Sequence, residues 1–265
     1  MRNLLVGMIL GVANVIPGVS AGTMAVVFKI YDRLLDSISL DIEKLKENFS
    51  FLATLGVGVI LGVLLFSNAI TYLYENFNMQ TNYAFMGVIL GSIPMIYGKI
   101  TDAGKIETSA VVPFTIPLLI MLYMALQGEG GENSFVITEL SLWAATMLII
   151  AGMISAFTMI IPGISGSFIL LTIGCYTTII TAISDFNIML LMPFGMGVVI
   201  GLVGGSKLVR ILLERYTQAT YLVILGLVVG SVFTIFPGFT LNFSGIVSVI
   251  ALVIGAVVSY AFSQE

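Results

Sequence analysis

The sequence contains no histidine and only one cysteine, Cys175, which lies inside an apolar run. Imidazole acid–base chemistry, His or Cys metal sites, redox dithiols and structural disulfides are thereby excluded, and no metal or other cofactor is expected. Cys175 reads as a small buried apolar side chain. Charge is scarce as well: 9% of residues are charged, 10 basic against 14 acidic, for a net charge of -4. A water-soluble domain carries about 25%. No basic cluster is present to give a nucleic-acid footprint. In place of these residues the chain is apolar, with 58% hydrophobic residues and a mean hydropathy of +1.12 over 265 residues. The apolar residues arrive in runs of about 17 to 25, the length that crosses a hydrocarbon core of roughly 30 Å. The expected fold class is an all-α polytopic membrane protein.

Residues Met1 to Gly22 imitate a secretory signal, with Arg2, the apolar run Leu4 to Leu10 and a small-residue stretch ending at Val19-Ser20-Ala21. The same pattern returns in mid-chain, which a cleaved signal does not do. Val15-Ile16-Pro17-Gly18-Val19-Ser20 matches Ile160-Ile161-Pro162-Gly163-Ile164-Ser165 at an offset of 145, which also puts Tyr31 on Tyr176 and Ile38 on Ile183. After a gap of six, an offset of 139 pairs Gly58, Gly62, Ser67 and Glu75 with Gly197, Gly201, Ser206 and Glu214. It continues through Gly87, Gly91 and Ser92 onto Gly226, Gly230 and Ser231. Self-similarity at fixed offsets is the mark of duplication. Residues 1–128 are read as repeat one, 129–137 as an outer linker and 138–265 as repeat two.

Each repeat holds five apolar segments: 4–16, 19–38, 51–74, 82–98 and 111–127, then 142–161, 164–184, 188–206, 219–236 and 243–262. The first two of each set are joined by a Pro-Gly turn instead of a polar loop. The first segment, about 13 residues, rises only about 20 Å as a helix, so the pair predicts a re-entrant or broken helical hairpin, 4–38 and again 142–184. Irregular backbone at that depth must be buried in protein or line a cavity. Three further helices complete each repeat, and an odd number of crossings inserts the second repeat upside down relative to the first, the inverted arrangement of secondary transporters.

Charge placement is an independent test, since cytoplasmic loops hold the Lys and Arg. With the N-terminus inside, Arg2, Lys29, Arg33, Lys44, Lys46, Lys99, Lys105, Lys207, Arg210 and Arg215 all fall at or toward the cytoplasmic face. The outer loops, 75–81, 128–141, 185–187 and 237–242, contain no basic residue. Both termini are expected in the cytoplasm and Gly128-Glu129-Gly130-Gly131-Glu132 outside. The stretch Asp41 to Phe49 is expected to lie on the cytoplasmic interface. Four Gly-x-x-x-Gly pairs, at 58/62, 87/91, 197/201 and 226/230, let helix backbones approach closely where lipid gives no hydrophobic drive for association.

At each hairpin tip, proline redirects one helix and glycine supplies unusual backbone angles. Ser20 and Ser165 are placed to cap the helices that follow. The first tip offers Pro17, Gly18, Val19, Ser20, Ala21, Gly22 and Thr23; the second offers Pro162, Gly163, Ser165, Gly166 and Ser167. Free N–H groups, hydroxyls and a positive dipole end make such a tip an anion site for phosphate or carboxylate, and inverted symmetry brings the two tips together. The plain alternative is a structural kink whose serines bond to backbone. Lys29 with Arg33, and Lys207 with Arg210, are spaced to share helix faces and assist an anion, or to anchor at headgroups. Glu75 and Glu214 are matched across the duplication and are candidates for proton coupling, or solvated helix ends.

Asn14-Val15-Ile16-Pro17-Gly18-Val19-Ser20-Ala21-Gly22-Thr23, followed by Tyr31-Asp32-Arg33-Leu34, resembles the N-terminal signature of the prokaryotic polyprenyl-phosphate transporter family. Length, hydropathy and the duplicated Pro-Gly-x-Ser extend the resemblance over essentially the whole chain. The sequence departs from the pattern at Asn14, where an acid is common, and Ala21, where glycine is common. The resemblance implies a lipid flippase of the plasma membrane that returns undecaprenyl phosphate from the outer to the inner leaflet for cell-wall assembly. The implied partners are the lipid and the bilayer, with a homo-oligomer left open. Two other classes compete. A transporter or channel for a small anion would use the same helix ends but needs an aqueous path. An intramembrane enzyme is suggested by Gly163-Ile164-Ser165-Gly166, which imitates a serine nucleophile, but there is no histidine to act as its base.

Overall fold

The computed structural model describes residues 2–15, 20–38, 42–106, 110–127, 137 and 139–264. Pro17, Gly18 and Val19 of the first tip, Asp41, Gly128, and residues 129–136 of the expected outer linker lie outside the described residues. Among the described residues the fold is entirely helical: α1 (Arg2–Val15), α2 (Ala21–Val27), α3 (Tyr31–Ser37), α4 (Ile42–Asp102), α5 (Val111–Gln127), α6 (Leu142–Ile160), α7 (Gly166–Ile173), α8 (Tyr176–Ser184), α9 (Ile188–Arg215), α10 (Thr217–Thr234) and α11 (Phe243–Gln264). Among the described residues six helices or half-helices are long and apolar enough to cross a bilayer, and the bent pair α7–α8 would make a seventh. The outward surface is correspondingly apolar: on α11, Ile246, Val253, Ile254 and Val257 are exposed while Ser248 and Ser259 are buried. Apolar side chains outside and small polar ones inside are what lipid as solvent selects. This is a multi-pass membrane protein.

The first finding that the hydropathy pattern did not predict concerns the turns. In place of a loop over 75–81, α4 continues through the region and breaks only at Phe77 (φ −137°, ψ 40°). The Thr81 hydroxyl donates to the Phe77 carbonyl at 2.8 Å and to the Leu73 carbonyl at 3.3 Å. Thr81 and Leu73 would stand about 12 Å apart along a straight helix, so the axis turns sharply at Phe77. The junction between α9 and α10 has the same form. Tyr216 (φ −132°, ψ 46°) separates them, and the Thr220 hydroxyl donates to Tyr216 at 2.8 Å and Leu212 at 2.9 Å. Every residue of this device is displaced by 139 positions from its counterpart. A buried threonine satisfies the carbonyls that a polar loop would otherwise expose to water. The stretch 42–49 forms the opening turns of α4.

Glycine contacts recur in the same way. A Cβ on Gly58 or Gly62 would run into the carbonyl oxygens of Leu4 or Met8 on α1, and one on Gly197 or Gly201 into those of Ile149 or Met153 on α6. The later pairs cross between halves of the chain. Gly87 and Gly91 abut Leu252 and Ala256 of α11, whereas Gly226 abuts Phe114 and Gly230 abuts Met121, both on α5. The second half of α4 therefore packs on the last helix of the chain, and α10 packs on α5.

Candidate functional site

The apolar segments 19–38 and 164–184 are each broken once. Lys29 separates α2 from α3 in the left-handed region (φ 55°), and Gly174 separates α7 from α8 (φ 80°), at the matched offset of 145. The α7–α8 bend is 109°. Lys29 and Arg33 therefore do not share the face of one helix. A non-glycine residue in this conformation is strained by about 1–2 kcal/mol, part of which glycine gives back through unfolded-state entropy. Lys29→Gly is expected to stabilise the protein by up to about 1 kcal/mol, read as a higher melting temperature in detergent; a lower one would contradict the strain.

The two tips meet. Asn14, Ser20, Ala21, Ser155, Met159, Ile164, Ser165, Gly166 and Ser167 line one cavity of about 190 Å³. Ser20 and Ser165 occupy the expected cap positions with nearly identical backbone, φ −96°, ψ 126° and φ −92°, ψ 129°. Neither side chain makes the capping hydrogen bond expected of it. Ser165 Oγ instead lies 2.7 Å from Ser167 Oγ. Ser20 is 3% exposed, and its hydroxyl has no partner among the described residues. A buried hydroxyl without a partner costs about 1–3 kcal/mol, so an acceptor in this cavity would recover that cost.

Ser155 was not among the sequence-derived candidates. Its hydroxyl donates to the Gly166 carbonyl at 3.0 Å and so holds α6 against the start of α7. The signal was a serine three residues after Gly152 on a helix with few polar residues. The first backbone bond of α7 runs from Ile169 N–H to the Ser165 carbonyl at 3.2 Å, so the N–H groups at 166–168 precede the intrahelical ladder. They and the serine hydroxyls form a set of donors. Among the described residues no charged side chain lines the cavity.

Other expected ligands are used elsewhere. Thr23 is 1% exposed, and its hydroxyl accepts from the Gly163 N–H at 2.7 Å, joining α2 to the second tip. Gly163 has φ 95° and its Cβ position falls 2.7 Å from the Leu227 carbonyl carbon. A Cβ on Gly22 would sit 2.9 Å from the Met159 carbonyl oxygen. Gly22, Thr23, Pro162 and Gly163 are thus packing residues behind the cavity and do not line it. Thr23→Val would leave the buried Gly163 N–H without its acceptor and cost about 1–3 kcal/mol; thermal unfolding in detergent measures this, and an unchanged midpoint would rule out the latch.

The cations are also remote from the serine cavity. Arg33 stacks 4.4 Å over the Phe51 ring. Arg210 pairs with Asp36 at 3.7 Å and with Glu214 at 3.9 Å, while Lys207 is exposed and Lys29 opens onto a different cavity. Glu75 and Glu214 are exposed. The structure therefore brings together Ser20, Ala21, Ser165, Gly166 and Ser167, and leaves Lys29, Arg33, Lys207, Arg210, Glu75 and Glu214 outside that group.

A family described as undecaprenyl phosphate translocase-like matches residues 10–253. A polyprenyl-phosphate transporter of Staphylococcus aureus is 31% identical over 270 aligned positions, covering 99% of this chain and 95% of the relative. A polyprenyl-phosphate transporter of Vibrio cholerae is 31% identical over 250 positions, covering 87% of this chain and 76% of the relative. No solved structure matches.

Proposed function

This chain belongs to the undecaprenyl phosphate translocase-like family, and from that membership we propose that it is a transporter, not an enzyme, whose cargo is undecaprenyl phosphate or a related polyprenyl phosphate. The lipid moves from the outer to the inner leaflet of a prokaryotic plasma membrane, returning the carrier to cell-envelope synthesis. The phosphate is held in the serine cavity by Ser20, Ser165 and Ser167 and by the first N–H groups of α7, with Ala21 and Gly166 in its wall and Pro17, Gly18 and Val19 completing the first tip. The isoprenoid tail remains in lipid throughout. The observation that carries this reading is the buried Ser20 hydroxyl, without a partner among the described residues, in a cavity lined by hydrogen-bond donors from both tips.

Residues 1–128 and 138–265 form two repeats of inverted topology, joined by the outer linker 129–137, with both termini in the cytoplasm. Each opens with a re-entrant hairpin, so that the serine cavity lies near the bilayer midplane. Support comes from the recurrence of contacts at offsets of 139 and 145: the Thr81 and Thr220 turns, the Ser20 and Ser165 backbone, and the glycine approaches on α4 and α9. The test is leaflet exchange in proteoliposomes containing undecaprenyl phosphate, read as lipid phosphate that becomes accessible to an external phosphatase. Protein-dependent exchange is expected. Its absence, with and without an imposed pH gradient, would favour transport of a small anion.

A further inference from the structure

A second cavity lies at the opposite end of α2. Ser20 precedes this helix and faces the serine cavity; Val26 near its end, with Lys29 just beyond, lines another cavity of about 120 Å³. The seven residues of α2 span about 10 Å. The chemistry of the second cavity differs from that of the first, because Lys29 and Lys99 both line it, together with Tyr31, Asp32 and Tyr221. Asp32 stands 3.7 Å from Lys99 and accepts from the Tyr221 hydroxyl at 3.5 Å. The two partners of this ion pair are 51% and 58% exposed, so it is weakly held and readily displaced. Two ammonium groups against one carboxylate leave the site with a positive charge.

Two further observations point to a missing acceptor. Tyr31 is 4% exposed, yet its hydroxyl has no hydrogen-bond partner among the described residues. Lys29 holds a left-handed conformation (φ 55°) that its matched position in the second half of the chain assigns to glycine, Gly174. Lys99 is matched, at the offset of 139, by Gly238. The turn after α2 therefore does not need a lysine at position 29; Lys99 stands in the last turn of α4, whereas Gly238 lies beyond the end of α10.

We infer that this cavity is a second phosphate-binding site, in which Lys29 and Lys99 supply charge and the Tyr31 hydroxyl donates a hydrogen bond to a phosphate group. At about 120 Å³ it is well above the roughly 10–15 Å³ that one water needs, enough for a phosphate headgroup. Its existence stands on these residues alone; its role as a station between the serine cavity and one membrane surface rests on the proposed lipid-phosphate transport. Arriving phosphate replaces Asp32 as the partner of Lys99, which loosens the link between α3 and α4 while the headgroup is bound.

The experiment is calorimetric titration of the full chain in detergent with farnesyl monophosphate and, separately, with inorganic phosphate. Two sites are expected for farnesyl monophosphate. Lys29→Gly with Lys99→Gln should weaken one of them at least tenfold and leave the other unchanged, without lowering the melting temperature. Tyr31→Phe, which changes no charge, should weaken the same site several-fold, an effect that loss of general surface attraction would not produce. Wild-type affinity at both sites in the lysine variant would overturn the inference. Ser20→Ala with Ser165→Ala should remove the other site; if it removes neither, the serine-cavity reading fails while the lysine site stands. Lysine-dependent binding of inorganic phosphate with farnesyl monophosphate excluded would keep the site and assign it to free phosphate.

Discussion

Protein-dependent exchange of undecaprenyl phosphate between leaflets is expected to fall at least about 100-fold when Ser20 and Ser165 are both changed to alanine. A hydrogen bond to a charged group contributes about 1.5–3 kcal/mol, and two such bonds lost together exceed the 1.4 kcal/mol that corresponds to each tenfold change. Stability should move the other way. Ser20 Oγ is buried without a partner among the described residues, so removing it relieves desolvation instead of breaking a bond. Among the described residues Ser165 loses only its contact with Ser167, itself on the cavity wall. The double variant should therefore melt no lower than the wild type. Slow exchange in a protein that melts early would mean a folding defect, and unchanged exchange would show that the phosphate does not pass through this cavity.

The second large effect concerns close helix approach. A Cβ on Gly201 would run into the Met153 carbonyl oxygen, and backbone on both sides leaves no flexible side chain to yield. Gly204, three residues further along α9, has no heavy atom within 4 Å of its Cβ position. Gly201→Val is expected to destabilise by about 3 kcal/mol or more, the upper range for overpacking, and to reduce recovery of monodisperse protein. Gly204→Ala should instead be neutral or stabilise by about 0.5–1 kcal/mol through helix propensity. Thermal unfolding of both by fluorescence-detected gel filtration makes the comparison. Equal behaviour of the two variants would remove close packing as the reason for Gly201.

Much of the architecture was legible because lipid imposes a simple rule: a crossing helix must be long and apolar, and its contact face must be small. The long apolar runs and the Gly-x-x-x-Gly pairs encode those two requirements directly. The repeated Pro-Gly-x-Ser, taken with the expected inversion of the second repeat, pointed to the two tips lying together. Hydropathy placed breaks at 75–81 and between 206 and 219, but it could not reveal that each shrinks to one non-helical residue, Phe77 or Tyr216, because the threonine hydroxyl that performs the loop's task belongs to the following helix. The break at Lys29 was hidden for a different reason. A lysine carries no sequence signal for a left-handed backbone; only its alignment with Gly174 does so. Thr23 looked like a ligand and is a latch, since which way its hydroxyl points depends on Gly163, 140 residues away. The cations at Lys29 and Lys99 also lie far apart in sequence, and no local pattern assigns them to one cavity.

The exchange of partners between α4 and α11, and between α5 and α10, has a consequence for synthesis. Val111 opens α5 and Thr217 opens α10, so about 100 residues separate a helix from the surface it covers. At about 5–20 residues per second, α5 leaves the ribosome roughly 5–20 s before α10 exists. Throughout that interval α5, with Ile116, Leu119, Ile120 and Tyr123 still exposed in the finished fold, has only lipid or an insertion factor for company. The first half of the chain thus waits in the membrane as an unfinished surface, and a fragment ending near the linker would be left permanently in that state.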